Sequence, residues 1–460
     1  MNTVLVTVDA LRADHLAQYG YDRNTMPVLD ELASEGTLFT SAYSNGPYTR
    51  ISVPSFHTSK LLGYISIEET PTIASVLSQE GIHTCGIGTQ TGFAPIESDL
   101  VFDNFIDLGR DGYHRRANEP NTARRSLGNS FRSIFENVSQ YCSSKLESSS
   151  TMYEIGKKSY RRINWLVDSF EYLGYHSAES VTDSAIEWLD SHREDDFFLW
   201  IHYMEGHRPY GVHDTEQQYT DEATDEEEIM QLMKTAGTRP NEVTVREHRT
   251  IGNLYDSDLR YCSSHISRLF DELNELGIWD ETNVIFTSDH GEEFYDHGYF
   301  FHRNLPYDEL IHVPLIAKTA STSGETCDDQ RELLDLAPTI CQLHDMDSSS
   351  LPFLGQPLFE GNSRKVMSIG SQLYLDDPII AVRWDGWKYI HTADADLLFD
   401  VENDPGERQS VTQNYPDVAE RMRSEIPERL LTREREQLLD PHDQVDKQRL
   451  EALGYLELDD

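Results

Sequence analysis

Three short apolar runs, each ending on residues that carry chemistry, constrain this chain more than any other feature. Val4–Val8 leads directly into Asp9. Phe197–Ile201 leads into His202-Tyr-Met-Glu-Gly-His207-Arg-Pro-Tyr210, and Val284–Phe286 into Thr287-Ser-Asp289-His290-Gly291-Glu292. Continuous apolar runs of this length are what strands buried on both faces look like. Between them lie stretches with helical spacing, at Thr25–Ala33, Thr72–Leu77, Ser180–Leu189 and Tyr261–Leu276, and a further strand at His83–Ile87. Strands alternating with helices predict a mostly parallel sheet covered by helices on both faces, an α/β/α sandwich. Such sheets place reactive groups beyond the carboxyl ends of their strands. A lone Asp or His there is commonly a turn or cap residue. Two carboxylates with an adjacent imidazole are harder to assign to turns, and hard oxygen ligands with one His suit Ca2+, Mg2+ or Mn2+.

Composition sets the boundaries. Among 460 residues, 81 Asp and Glu stand against 38 Lys and Arg, a net charge of −43 spread along the whole chain. That charge argues against nucleic-acid binding. An apolar share of 38% with 10% aromatics excludes a disordered acidic chain. Only 9 of the 38 cations are Lys. Strong acidity with scarce Lys is expected of a halophilic protein, because concentrated salt screens self-repulsion within a few ångströms. Five scattered cysteines, Cys85, Cys142, Cys262, Cys327 and Cys341, show no zinc or redox spacing. With no basic n-region before the first strand and no apolar run of about 18 residues, a soluble, cytoplasmic protein with no membrane span is expected.

Residues 110–162 reverse the charge, with eleven Lys or Arg against five acids. They read either as a lid paired with acidic neighbours or as an electrostatic funnel for an anion. Past about residue 350 the pattern becomes antiparallel. Ile379–Ile390 folds back at Asp385-Gly386, and Leu397–Asp400 follows. The expected organisation is a catalytic domain over 1–350 with a basic helical insertion at 110–175. A C-terminal α+β subdomain over 351–430 and an acidic helical tail over 431–460 complete it.

The order of motifs resembles the sulfatase family of the alkaline phosphatase superfamily. Val-Thr-Val-Asp9-Ala-Leu-Arg-Ala-Asp-His15 and Met26-Pro-Val-Leu-Asp-Glu-Leu-Ala look like its opening. Ser288-Asp-His-Gly-Glu, His297-Gly and Tyr307-Asp-Glu-Leu-Ile-His-Val-Pro-Leu315 resemble its second metal segment. Asp385-Gly-Trp-Lys-Tyr-Ile, Phe399-Asp-Val-Glu-Asn-Asp-Pro-Gly-Glu and Leu453-Gly-Tyr resemble its C-terminal part. The resemblance implies an alkaline-phosphatase-like fold and a metal-dependent hydrolase of sulfate or phosphate esters. Family members carry Cys-x-Pro-x-Arg or Ser-x-Pro-x-Arg at the nucleophile, whose first residue becomes formylglycine. None of the five cysteines opens such a motif, so no formylglycine is expected. Aligning Ala42-Tyr-Ser-Asn-Gly-Pro-Tyr-Thr49 with the family's run puts Thr49 on the nucleophile. A rival register through Ser52-Val-Pro-Ser-Phe56 puts Ser52 there. Gly88-Thr-Gln-Thr-Gly92 replaces the family's Gly-Lys-x-His.

A Thr hydroxyl attacks poorly until a cation stabilises its alkoxide. The resemblance, extended to threonine-using phosphotransferases of the superfamily, implies one divalent cation held by Asp9, Thr49, Asp289 and His290. His207 is the candidate acid for the leaving group. His302 or Lys60 would contact the anionic oxygens, with Arg12 and Arg50 as further substrate contacts. Arg12, Asp14 and His297 are equally open to a structural reading. The substrate would be an anionic metabolite or saccharide ester. Family likeness favours sulfate, whereas a threonine adduct, which needs water to attack the central atom, favours phosphate. The alternatives are a phosphotransferase with Thr49 as covalent carrier, and an inactive binding protein of the same fold.

Overall fold

A computed structural model describes residues 1–61, 70–88, 100–108, 176–212, 216–220, 223–370 and 379–431. The 110–175 insertion, the tail beyond 431 and Thr89–Gly92 lie outside the described residues. In chain order the strands are β1 (Asn2–Val8), β2 (Thr37–Tyr43), β3 (His83–Gly88), β4 (Asn104–Asp107), β5 (Phe197–Tyr203) and β6 (Thr282–Ser288). A short hairpin, β7 (Glu293–Phe294) and β8 (Phe300–Phe301), follows, then β9 (His312–Lys318), β10 (Glu325–Cys327) and β11 (Arg331–Glu332). Nine of these form one sheet in the order β10-β2-β9-β6-β1-β5-β3-β4, with β11 continuing alongside β2. Only β9 runs against its neighbours β2 and β6; all other pairings are parallel.

The central strands β1, β5 and β6 are buried at every residue. Their alternate side chains feed two different cores. Val4, Val6, Val8, Leu199, Ile201, Val284 and Phe286 face one layer of helices. Leu5, Phe198, Trp200 and Ile285 face the other. This period of two explains why the strands read as unbroken apolar runs.

The helices sit close to their expected places. Thr72 caps Ile73–Gln79 with a reciprocal Ser75 bond, and Ala178–His192 precedes β5. One is much longer than its apolar spacing suggested. The helix expected at Tyr261 begins at Val245 and runs 31 residues to Glu275, started by a Thr244–Glu247 capping box. Its first turns are polar and exposed, so the apolar signal emerges only where the helix meets the sheet.

The C-terminal strands β12 (Val366–Ile369), β13 (Ile380–Trp384), β14 (Trp387–His391) and β15 (Leu397–Asp400) form a separate antiparallel sheet. Trp384 pairs with Trp387 across Asp385-Gly386, both at positive φ, as a two-residue hairpin turn requires. Fold class and architecture therefore match the expectation: a mostly parallel sheet between helical layers, plus a small antiparallel sheet.

Just after β5, Glu205 is wholly buried and its Oε1 accepts the Ala178 amide. Burial pushes this carboxyl up to about 8, the amide bond opposes that, and nearby Asp258 adds to it. A raised carboxyl contributes stability that is complete below its unfolded value near 4.5 and is lost as pH climbs through about 8. At about 1.4 kcal/mol per pH unit, the loss is on the order of 5 kcal/mol. Glu205→Gln is expected to raise the melting temperature at pH 8.5 and change it little at pH 5. Equal differences at both pH values in thermal melts would contradict this.

Candidate active site

The register of the sheet brings the three strand ends level. Val8 pairs with Tyr203 on one side and Ser288 on the other. The Asp9 amide then bonds Tyr203 O at 2.8 Å, which sets Asp9 beside Asp289 and the His202–Tyr210 segment. The chains cross here at distances only glycine permits. A Cβ on Gly206 would lie 2.1 Å from Asp9 O, and one on Gly291 2.0 Å from Glu309 O. Tyr255 of the long helix pins the loop after β1, donating to Ala10 O at 2.9 Å and accepting the Arg12 amide at 3.0 Å.

Thr49 is the first residue of the helix Thr49–Thr58, whose N-cap is Tyr48. Its Oγ1 lies 3.2 Å from His290 Nε2. The same nitrogen lies 3.3 Å from Asp9 Oδ1 and 3.6 Å from Asp289 Oδ2. The four residues expected to hold a cation thus meet at one point. His290 Nδ1 is 2.7 Å from Gly291 O, an acceptor only, so Nδ1 carries hydrogen and Nε2 is the nitrogen turned toward Asp9 and Asp289. Asp289 Oδ1 accepts the His290 amide at 2.9 Å and the Ala10 amide at 3.3 Å. Asp289 Oδ2 and Asp9 Oδ1 are buried without an aligned hydrogen bond.

Charge in this pocket is unbalanced. Burial raises the Asp289 carboxyl, and the Asp9 charge adds to that. Burial pushes Asp9 the same way, but His202 and His290 override it and hold Asp9 well below the usual carboxylate range. His290, against its own burial, is pushed up to about 9 by Asp289 and Asp9. Two buried carboxylates with inward oxygens lacking donors, a ring nitrogen and a hydroxyl form a donor set that fits a divalent cation. His202 Nε2 also approaches, 3.7 Å from Asp9 Oδ2, and Asp9, His202 and Asp289 offer ligand atoms within 4.8 Å of one another.

Ser52, the rival nucleophile, sits one turn deeper. It is wholly buried, donates to Asp289 O at 2.6 Å and contacts Ser44 Oγ at 2.9 Å. It braces the backbone of Asp289 from below.

His302 and His207 continue outward from His290, with ring centroids 4.7 Å and then 5.5 Å apart. His207 Nδ1 contacts Arg208 O at 2.6 Å, so its neutral ring also turns an Nε2 lone pair to the site. Burial lowers His207 to about 4, against the pull of Asp9. His302, lowered by burial and by His290, contacts Glu292 Oε1 at 3.1 Å through Nδ1. Glu292 is raised by burial to about 7 and accepts Tyr210 OH at 2.6 Å.

The cationic candidates divide. Arg12 is buried, and its guanidinium makes four hydrogen bonds, two to Asp14 and one each to Asp296 and Glu292 O. Arg12 thus braces this loop, with Asp14 as its partner. Arg50 follows Thr49 in the helix and Lys60 lies just past the helix end; both are half-buried. His297 pairs with Glu309 and stacks on Tyr307, centroids 3.7 Å apart. Glu293, His297 and Glu309 form a second cluster of ligating side chains, but Arg303 already neutralises Glu293 with bonds of 2.8 and 2.6 Å.

Two residues had no role in the sequence reading. Glu292 supports His302, and Arg208 lays its guanidinium over the Phe301 ring, 4.4 Å from the centroid. The signal for Arg208 was present in its position beside His207. Glu292 could be assigned only once Tyr210 and His302 were seen to converge on it.

Comparison with known proteins bears on the family and the fold. A family model described as Sulfatase matches residues 1–346. An arylsulfatase of Clostridium perfringens is 25% identical over 444 residues, covering 88% of this chain and 89% of that protein. Among solved structures, the phosphonate monoester hydrolase of Agrobacterium radiobacter superposes with a TM-score of 0.62 at 16% identity, covering 100% of this chain and 98% of that one. BT4656, solved with its substrate D-glucosamine-2-N,6-O-disulfate, gives 0.61 at 15% identity, covering 92% of this chain and 96% of its own. At such identities these structures speak for the fold alone. No helix among the described residues is long and apolar enough to cross a membrane.

Proposed function

The chain belongs to the sulfatase family, and from that premise we propose that it hydrolyses a sulfate or phosphate ester by in-line attack of Thr49 Oγ1. One observation carries the proposal: Thr49 Oγ1 stands 3.2 Å from His290 Nε2, and the same nitrogen lies 3.3 and 3.6 Å from the buried carboxylates of Asp9 and Asp289. Asp9, Thr49, Asp289 and His290 would hold one divalent cation, Ca2+, Mg2+ or Mn2+. When bound, that ion supplies positive charge that favours the alkoxide form of a hydroxyl and draws charge from a non-bridging ester oxygen.

The residues of the chain supply the rest. Thr49 begins a ten-residue helix, so the partial positive charge of its N-terminus lies beneath the arriving anion. His302 and His207 flank the outer side of the pocket and would contact ester oxygens. As an acid, His207 must first take up a proton. Burial holds it near 4 in the free enzyme, and a substrate anion alongside raises that affinity, because an opposite charge favours the protonated ring. The leaving oxygen then receives its proton from Nε2. Arg50, Lys60 and Arg208 are the cationic contacts we assign to the substrate.

A saccharide or small anionic ester is the substrate class we favour, as for BT4656. Aryl sulfate, aryl phosphate monoester, phosphonate monoester and phosphodiester should be assayed side by side in molar salt, after chelation and after each cation is restored. The expected result is turnover of one ester that disappears on chelation and returns with one cation. Absence of cation-dependent cleavage of all four would refute the hydrolase reading. A product that forms only with an added alcohol would replace it by phosphoryl transfer.

A further inference from the structure

We propose that Arg208, held over the ring of Phe301, sets the substrate class: it binds a second anionic group carried on the leaving-group side of the ester. This rests on the reading of His207 as the acid for the leaving oxygen.

The position of Arg208 follows from two chain segments whose residues face one another in pairs. On one, His207 is followed by Arg208; on the other, His302 is preceded by Phe301. The His207 and His302 rings lie 5.5 Å apart. One residue along, the guanidinium carbon of Arg208 lies 4.4 Å from the Phe301 ring centroid. The cation is thus the next rung beside the two imidazoles that we place at the ester. Its charge is felt there: burial lowers His302 most, and His290 and then Arg208 add to that.

A third element closes on the stack. Gly237 is the next-to-last residue of the helix Glu226–Thr238. A Cβ there would lie 3.2 Å from Phe301 Cε2 and 3.5 Å from Arg208 Nη1. The last turn of a helix carries partial negative charge, which favours a cation beside it. Phe301 is buried and Arg208 half-buried, so the ring is a fixed support and the guanidinium stays within reach of what binds from solvent. A guanidinium laid over a ring is engaged through its face. Its N–H donors point outward in the plane, in the fork that matches a carboxylate, sulfate or phosphate. Arg208 adjoins the acid, on the side from which the alcohol departs. An alcohol bearing a second anionic group meets this fork, and a neutral alcohol does not. Phe301 is then a positioning residue for Arg208.

The test compares three esters of one kind, sulfate or phosphate, whichever the cation-loaded enzyme cleaves: phenyl, meta-carboxyphenyl and meta-carbamoylphenyl. The native enzyme should prefer the carboxylate over both others by about tenfold in kcat/KM, through a lower KM. All three esters share the same bond cleavage, so general damage by a substitution cancels in that ratio. Arg208→Gln should bring the ratio close to one. Phe301→Leu, which removes the aromatic face, should lower it about threefold, and Phe301→Tyr should keep it. With Arg208→Gln already present, Phe301→Leu should change the ratio no further. For a variant too slow to assay, calorimetric dissociation constants of the three esters with the cation-loaded protein give the same ratio. Equal kcat/KM for the three esters in the native enzyme, or a preference that survives Arg208→Gln, would overturn the proposal. Failure of the native enzyme to cleave any of them, as sulfate or phosphate, with Ca2+, Mg2+ or Mn2+ would instead refute the hydrolase reading, and this inference with it.

Discussion

Thr49→Ala is expected to lower kcat on the preferred ester by about 10⁴-fold or more, the scale on which removing a covalent nucleophile acts. The substitution deletes one hydroxyl at the first turn of a helix. Tyr48, not Thr49, caps that helix, and it does so without a side-chain bond, so the fold should melt within a degree or two of the parent. Ser52→Ala has the opposite profile. Ser52 donates to Asp289 O in a wholly buried setting. Its loss orphans a buried carbonyl at a cost of about 1–3 kcal/mol while leaving the attacking group in place. Thr49→Ser should retain measurable turnover, because the hydroxyl survives with more rotational freedom. Peptide mapping of acid-quenched enzyme should find the ester's central group on Thr49. An active Thr49→Ala with an inactive Ser52→Ala would move the nucleophile one turn down the helix.

What the sequence revealed and what it withheld divide along the range of the interactions. The strands β1, β5 and β6 were legible because each is buried on both faces, so local composition alone marks them. The Asp-Gly turn between β13 and β14 was legible because its positive φ angles demand such residues. The antiparallel course of β9 was not, since a run such as His312–Lys318 looks the same whichever way it pairs.

At the site, Asp9, Asp289 and His290 could be read from the strand ends because parallel register makes those ends meet. Arg12 could not. Its fate depends on Asp296 and Glu292, about 280 positions away, and no periodicity reports an ion pair of that span. His202 shows the same limit more sharply. Its place at the end of β5 is plain in the sequence, but its approach to Asp9 Oδ2 at 3.7 Å and its contact with Thr7 Oγ1 at 2.8 Å join two strands that sequence reading can only suppose are neighbours.

Asp289→Asn should abolish cation-dependent turnover and at the same time stabilise the cation-free protein. Asp289 is wholly buried beside Asp9, and its inward Oδ2 lacks an aligned donor. Burial, with the Asp9 charge behind it, raises the carboxyl and so disfavours its ionised form. Asn keeps an Oδ1 for the amides of Ala10 and His290, which Asp289 Oδ1 now accepts. It also places a hydrogen-bond donor where the unsatisfied oxygen stood. We expect the cation-free variant to gain on the order of 1 kcal/mol. Saturating the native protein at about 100 times the dissociation constant should add about 2.7 kcal/mol, and the variant, with its affinity reduced at least about tenfold, should gain far less. The two melting curves should therefore exchange order when the cation is added. Elemental analysis after dialysis should show the variant depleted. A variant less stable than the parent without cation, and equally stabilised by it, would mean that Asp289 serves the fold and not the ion. The crossing of the curves is the mark of a site that accepts electrostatic strain so that a positive charge can relieve it.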